Sequence, residues 1–277
     1  MVKRTNVIAV MSPKGGVGKT VTTANLAAAL ATEFNKKVLA IDTNVSTASL
    51  ALHLDLYAPK KTMQNLLEKK FEIKEAIHPY HENLHLIPAS IKIKKRDKNP
   101  KNVQKNIMKI VKFYDEILKE LHQEYDLVLL DCAPGFDVEA LASMHIAGAL
   151  LLITNPEMPS LVTAVKAVEY AKNFKIPVGG IVLTKVRKRK YEISEEDIED
   201  LLKIKVVEKI PFNHKISESI ARKIPIVLFK PKNKASKAYK RLAGTIVGEV
   251  YKPFFWKKTS KKKINKEKIR EKSKKKV

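Results

Sequence analysis

Residues 11 to 20 read Met-Ser-Pro-Lys-Gly-Gly-Val-Gly-Lys-Thr, with an apolar run just before them and an Ala/Leu-rich helical pattern just after. Nothing else in the sequence narrows the fold as much. Gly15, Gly16 and Gly18 let the backbone turn sharply, so that its N–H groups face inward around phosphate oxygens. A helix that starts at once behind them presents its positive end to the same anion. Lys19 is then placed to reach the outer phosphates of a nucleotide, and the Thr20 hydroxyl to complete the shell of a Mg²⁺ ion. Strand, glycine loop, Lys-Thr and helix in that order belong to a βα unit of a parallel sheet.

The rest of the chain fits such a sheet. Val7–Met11, Val38–Asp42, Leu84–Ile87, Leu127–Asp131, Leu150–Thr154, Val178–Thr184 and Val206–Ile210 read as strands. Several are continuously apolar, as strands covered on both faces by helices must be. Helical spacing marks Thr20–Phe34, Pro100–Glu124, Pro159–Asn173, Ser194–Lys203 and Ala235–Val250. The expected fold class is therefore α/β: one P-loop NTPase domain with a mostly parallel β-sheet flanked by helices on both faces. With 277 residues, 44% of them hydrophobic, the chain can bury the core this requires. The expected division is one domain over residues 1–251 and a basic tail over 252–277.

Two carboxylates close strands at the end of the sheet where ligands gather. Asp42 ends Val38-Leu-Ala-Ile-Asp42, and Asp131 ends Leu127-Val-Leu-Leu-Asp131. Asp131 is expected to hold Mg²⁺ through water. Cys132 is the only cysteine, which excludes a disulfide within the chain and reads as a small buried hydrophobe. His78, His81 and His85 lie close in sequence, but Pro79 and the run into a strand break any common helical face. They are expected to be surface histidines and not metal ligands.

Lys14 opens the loop with a second lysine, and Lys14-Gly-Gly-Val-Gly-Lys-Thr20 resembles the deviant Walker A family of ATPases, which includes MinD and ParA. The resemblance runs from about Val7 to Leu242. It implies ATP and Mg²⁺ as cofactors and a homodimer with ATP sandwiched between protomers, Lys14 crossing into the partner's site. It places Lys14, Gly15, Gly16, Val17, Gly18, Lys19, Thr20 and Val21 on the nucleotide. Gly135 would come against the γ-phosphate, Thr184 beside the base, and Pro211 in the segment closing over it. Thr20, Asp42 and Asp131 would surround the metal, and Lys14, Lys19, Asp42 and Asn44 would carry the chemistry. Asp131-Cys-Ala-Pro-Gly-Phe136, Thr154-Asn-Pro-Glu157 and Ile210-Pro-Phe212 followed by a helix are similar to archaeal MinD-like members. The iron–sulfur branches need several cysteines, and the Asp-x-Asp-Pro-Gln-Gly of the chromosome-partition branch is absent.

The chain departs from the pattern at four places. Asn44 stands in Asp42-Thr-Asn44 where Asp-x-Asp is usual, Val21 replaces a second hydroxyl, Thr184-Lys185 replaces Asn-Arg, and Asn213 replaces an aspartate. An asparagine orients a water by hydrogen bonding but does not take its proton. Phosphoryl transfer depends more on positioning and charge stabilisation than on a strong base, so slow hydrolysis with intact ATP binding is expected.

The formal net charge is +25. Residues 252–277 carry 13 Lys/Arg against two Glu, beside Phe254, Phe255 and Trp256, and Lys92–Lys101 form a second dense run. Aromatic rings next to a polybasic stretch suit an anionic membrane surface. Non-specific DNA is the other polyanion such charge attracts, and rings folded back on the core with solvated lysines are the plain structural alternative. The leading expectation is an ATP-dependent dimerisation switch for spatial positioning at a membrane surface, with an unidentified protein activator or cargo. The alternatives are a ParA-like DNA partition ATPase and a nucleotide-gated scaffold with negligible turnover. No export signal is read at Met1–Asn6, so a cytoplasmic protein, peripheral on the inner membrane face, is expected.

Overall fold

The computed structural model describes residues 6–44, 48–57, 59–90, 103–121 and 123–251. The basic run Lys92–Lys101 and the tail 252–277 lie outside them. Eight strands form one sheet: β1 (Val7–Met11), β2 (Val38–Asp42), β3 (His78–His81), β4 (Leu84–Ile87), β5 (Leu127–Asp131), β6 (Ala149–Thr154), β7 (Val178–Val186) and β8 (Val206–Pro211). Their order is β3-β4-β2-β5-β1-β6-β7-β8, parallel throughout except for the β3–β4 pair. The helices are α1 (Lys19–Glu33), α2 (Leu50–His53), α3 (Met63–Leu67), α4 (Val103–Leu121), α5 (Val138–Ile146), α6 (Met158–Asn173), α7 (Glu195–Leu202), α8 (His214–Ala221), α9 (Ile226–Phe229) and α10 (Lys234–Val247).

The continuously apolar strands have the cause expected of them. Side chains alternate across a strand, so a sheet with helices on both faces buries every position. Ala9, Met11, Ile41, Val128 and Leu130 point into one core, which Tyr114, Ile117, Leu121 of α4 and Leu141, Met144 of α5 complete. Val10, Ala40, Leu129, Leu151 and Val182 point into the other, against Leu26, Leu30 of α1 and Tyr239, Leu242 of α10. Each large aliphatic side chain so buried contributes on the order of 2 kcal/mol. Among the described residues no helix is long and apolar enough to cross a membrane.

Most expected boundaries fall within one or two residues of the observed ones, and β7 runs two residues past Thr184 to Val186. Ser194 caps α7 by accepting a hydrogen bond from the Asp197 N–H at 3.1 Å. Expected to reach Val250, α10 stops at Val247, because Gly248 adopts φ +68° and turns the chain. The short helices α2, α3 and α9 were not expected, and neither were β3 and α5. Residues 78–81 read His-Pro-Tyr-His, with no apolar run, because β3 is a short edge strand. Helix α5 is buried nearly all round, which erases the helical period.

The three histidines correct the expectation of surface positions: all are half-buried. His78 Nε2 lies 3.0 Å from the Lys61 carbonyl, and His85 Nδ1 lies 2.7 Å from the Tyr125 hydroxyl.

Candidate nucleotide site

The carboxyl ends of β1, β2, β5, β7 and β8 bring the singled-out residues to one edge of the sheet. At the centre, the loop after β1 leads straight into α1. Gly16 and Gly18 take φ +74° and +105°, a region that a side chain disfavours. Gly18 is the N-cap of α1 and supplies no side-chain cap. The first N–H groups of the helix therefore stay available to an anion. Gly15 and Gly16 are exposed, and a Cβ built on either would meet nothing within 4 Å.

Lys19 is 7% exposed, and its Nζ donates to the Lys14 carbonyl at 3.4 Å. Burial lowers its pKa, while the Asp131 charge works in the opposite direction. One turn on, Thr23 donates to Asp131 Oδ1 at 3.2 Å. Thr20 Oγ1 lies 3.2 Å from Ser49 Oγ. Asp131 Oδ2 is buried and has no hydrogen-bond partner. A carboxylate oxygen left unsatisfied at this depth is expensive unless a cation or an ordered water completes it. Asp42 is arranged differently. Its Oδ1 accepts from the Asn44 N–H at 3.0 Å, and its Oδ2 accepts from the Ser49 and Leu50 N–H groups, both at 3.1 Å. Burial and then the neighbouring Asp131 charge raise the Asp42 pKa well above the carboxylate range. Burial likewise raises that of Asp131, opposed by Thr20, Lys19 and Thr23.

This donor set fits Mg²⁺. Thr20 and Asp131 offer oxygen, with Asp42 behind them, and two adjacent buried carboxylates favour a divalent cation. Among the described residues no three His, Cys, Asp or Glu side chains cluster as metal ligands. A cation here would need phosphate oxygens and water to fill its shell, as Mg²⁺ in nucleotide sites does.

The other expected residues make contacts within the chain. Lys14 turns to its own α6, where Nζ donates to Ser160 Oγ at 2.9 Å and pairs with Glu157 Oε2 at 3.7 Å. Gly135, at φ +83°, donates its N–H to the Pro13 carbonyl at 2.8 Å, which ties the turn after β5 to the phosphate loop. Thr184 is 4% exposed, and its hydroxyl is engaged by the Val17 carbonyl at 2.5 Å and the Asn155 amide at 2.8 Å. It fastens the loop to β7 instead of presenting a free donor. Lys185 donates from Nζ to the Gly16 carbonyl at 2.8 Å. Val21 is half-buried, and its carbonyl accepts from the Asn25 side chain at 2.8 Å. Pro211 closes β8, and the next residue, Phe212, lies under the Arg187 guanidinium 3.5 Å from its ring centroid. Asn213 caps α8 through the Lys215 N–H at 2.9 Å. Asn44 is 6% exposed at the mouth of the Asp42 turn.

Sequence reasoning gave no role to Thr23, Ser49, Glu157 or Ser160. Thr23 follows Thr20 by one helical turn, a usable signal. The other three reach the site only through the fold.

The family model of an AAA domain matches residues 5–176. An uncharacterized ATP-binding protein of Methanocaldococcus jannaschii is 31% identical over 242 residues, covering 87% of this chain and 88% of its own. The septum site-determining protein MinD of Thermotoga maritima is 29% identical over 256 residues, 88% of this chain and 89% of that one. Among solved structures, the cell division ATPase MinD of Pyrococcus furiosus superposes with a TM-score of 0.77 at 30% identity, over 88% of this chain and 98% of that chain. The MinD of Pyrococcus horikoshii complexed with Mg-ADP gives 0.76 at 28% identity, over 87% and 95%. The expected family and fold are thus both met, and the chain belongs to the MinD/ParA family of P-loop ATPases.

Proposed function

We propose that ATP binding and slow hydrolysis switch this chain between a monomer and a homodimer with ATP at its interface. In this reading the dimer acts at an anionic membrane surface through residues 252–277, in the placement of the division site or of other cellular machinery. The observation that carries it is the split between the two loop lysines. Lys19 is buried under the cradle, whereas Lys14 sits at its lip, partly exposed, between the exposed Glu157 carboxylate and the buried Ser160 hydroxyl. The ion pair with Glu157 is exposed, so giving it up for a partner's phosphate costs little.

The roles follow from position. The loop N–H groups from Gly15 to Thr20 and the Lys19 ammonium take the phosphate charge. Thr20 and Asp131, backed by Asp42, would hold Mg²⁺, which would supply charge neutralisation for the phosphates. Asn44 orients the attacking water, and Gly135 brings backbone close to the γ-phosphate. Pro211 and Phe212 bound the base side of the site. Asn44 cannot take a proton from the attacking water, and hydrolysis is slow in this reading for that reason.

Sedimentation velocity with ATP, ADP or no nucleotide tests the switch. A dimer with ATP alone supports it, and a nucleotide-independent state rejects it. Co-sedimentation with anionic liposomes or duplex DNA, with and without residues 252–277, tests the surface. A second reading, DNA binding, draws on one feature: from Arg222 to Arg241 there are eight Lys/Arg and no Asp or Glu. Lys240 is buried against Glu33, but most of the others are exposed. ATP-dependent binding to DNA alone, falling steeply with salt, would replace the membrane by DNA.

A further inference from the structure

Thr43, between Asp42 and Asn44, is fully buried and has no part in the phosphate cradle. Its N–H and its hydroxyl both reach the Asp131 carbonyl, at 3.1 and 3.0 Å. The turn that leaves β2 is thereby stapled to the end of β5. Ser143 of α5, also fully buried, places its Oγ 3.0 Å from Thr43 Oγ1 and 2.7 Å from the Glu139 carbonyl. Two hydroxyl protons thus serve three contacts. Tyr114 of α4 lines the same narrow space as Thr43.

The staple bears on the site from behind. The Asn44 N–H and the Ser49 and Leu50 N–H groups all bond the Asp42 carboxylate, so the turn moves with Asp42 as one unit.

We propose that Thr43 is a positioning residue for ATP hydrolysis: its hydroxyl, held between the Asp131 carbonyl and Ser143, locks the turn that presents Asn44 to the attacking water. This rests on the reading of Asn44 given above. Phosphate binding belongs to the loop after β1 and does not pass through Thr43. The consequence is therefore a loss in hydrolysis rate with little change in affinity.

The test uses the full chain with saturating Mg²⁺ and ATP, measuring single-turnover hydrolysis, affinity for a fluorescent ATP analogue, and hydrogen exchange at Asn44, Ser49 and Leu50. Thr43→Val keeps the shape and removes the hydroxyl. It should slow hydrolysis roughly tenfold, leave affinity within about twofold, and speed exchange at the three amides. Thr43→Ser should recover most of the rate, and Ser143→Ala should fall between. The proposal fails if Thr43→Val hydrolyses ATP normally, if rate and affinity drop together, or if Thr43→Ser recovers nothing. Asn44→Ala separates the two layers. A normal rate in that variant sinks the Asn44 reading and this proposal with it. A slow Asn44→Ala beside a normal Thr43→Val sinks the role of Thr43 alone.

Discussion

Asp42 and Asp131 stand opposite each other in register at the ends of neighbouring parallel strands, both fully buried. Burial raises both pKa values, that of Asp131 to about 6 from 3.8. A carboxyl whose folded pKa lies above its unfolded value favours the folded state at acid pH. That contribution disappears as pH climbs through the folded value. Without Mg²⁺, the chain should therefore lose stability as pH rises from about 4 to 7, and Asp131→Asn should flatten the trend by several degrees in Tm. Calorimetry at pH 5 and 7.5 checks it, and an equal slope in both proteins would rule out this origin. Added Mg²⁺ should restore more stability at pH 7.5 than at pH 5, because only the ionised pair holds it.

The contact of Lys14 with Ser160 and Glu157 competes with any use of Lys14 across a dimer. Exposed ion pairs of this kind contribute about 0–1 kcal/mol. Glu157→Gln with Ser160→Ala should leave the dimer with ATP up to about fivefold tighter, if Glu157 makes no contact of its own across the interface. Lys14→Ala should abolish the ATP-dependent dimer while the monomer still binds nucleotide. Analytical ultracentrifugation reads both, and a dimer in Lys14→Ala would remove Lys14 from the interface.

Asn44→Asp restores a carboxylate at the mouth of the Asp42 turn. Steady-state turnover should rise about tenfold with the affinity for ATP little changed. Phosphate release assays decide it. An unchanged rate means that Asn44 is not what limits hydrolysis.

Gly244 tests how residues 249–251 are held against α10. A Cβ there would lie 2.4 Å from the Glu249 carbonyl and 3.2 Å from the Tyr251 nitrogen. Gly244→Ala should force residues 249–251 off α10 and cost about 1–3 kcal/mol. Chemical denaturation measures it. Because Lys36 pairs with Glu249 at 3.1 Å beside the same contact, residues 249–251 should also become more open to proteolysis.

Much of the architecture was legible because its signals are local. The phosphate loop announces itself within ten residues, since the glycines, Lys19 and Thr20 act on one anion through contiguous backbone. The buried strands show as apolar runs, and α4 shows as a stripe from Ile107 to Leu121. Edge strand β3 and buried α5 escaped, the first with too little apolar surface to leave a pattern and the second with too much.

What the sequence determined by itself is a parallel α/β sheet with a phosphate-binding loop after its first strand, and the two carboxylates that end strands near it. Tertiary structure alone decided which groups those residues meet. Lys14 finds Ser160 across 146 positions, Thr184 finds Val17 across 167, and Thr43 finds Asp131 across 88. Each meeting depends on strand order, with β5 inserted between β1 and β2 and β6 on the other side of β1. No local pattern encodes that order. It is settled when both faces of the whole sheet are buried at once.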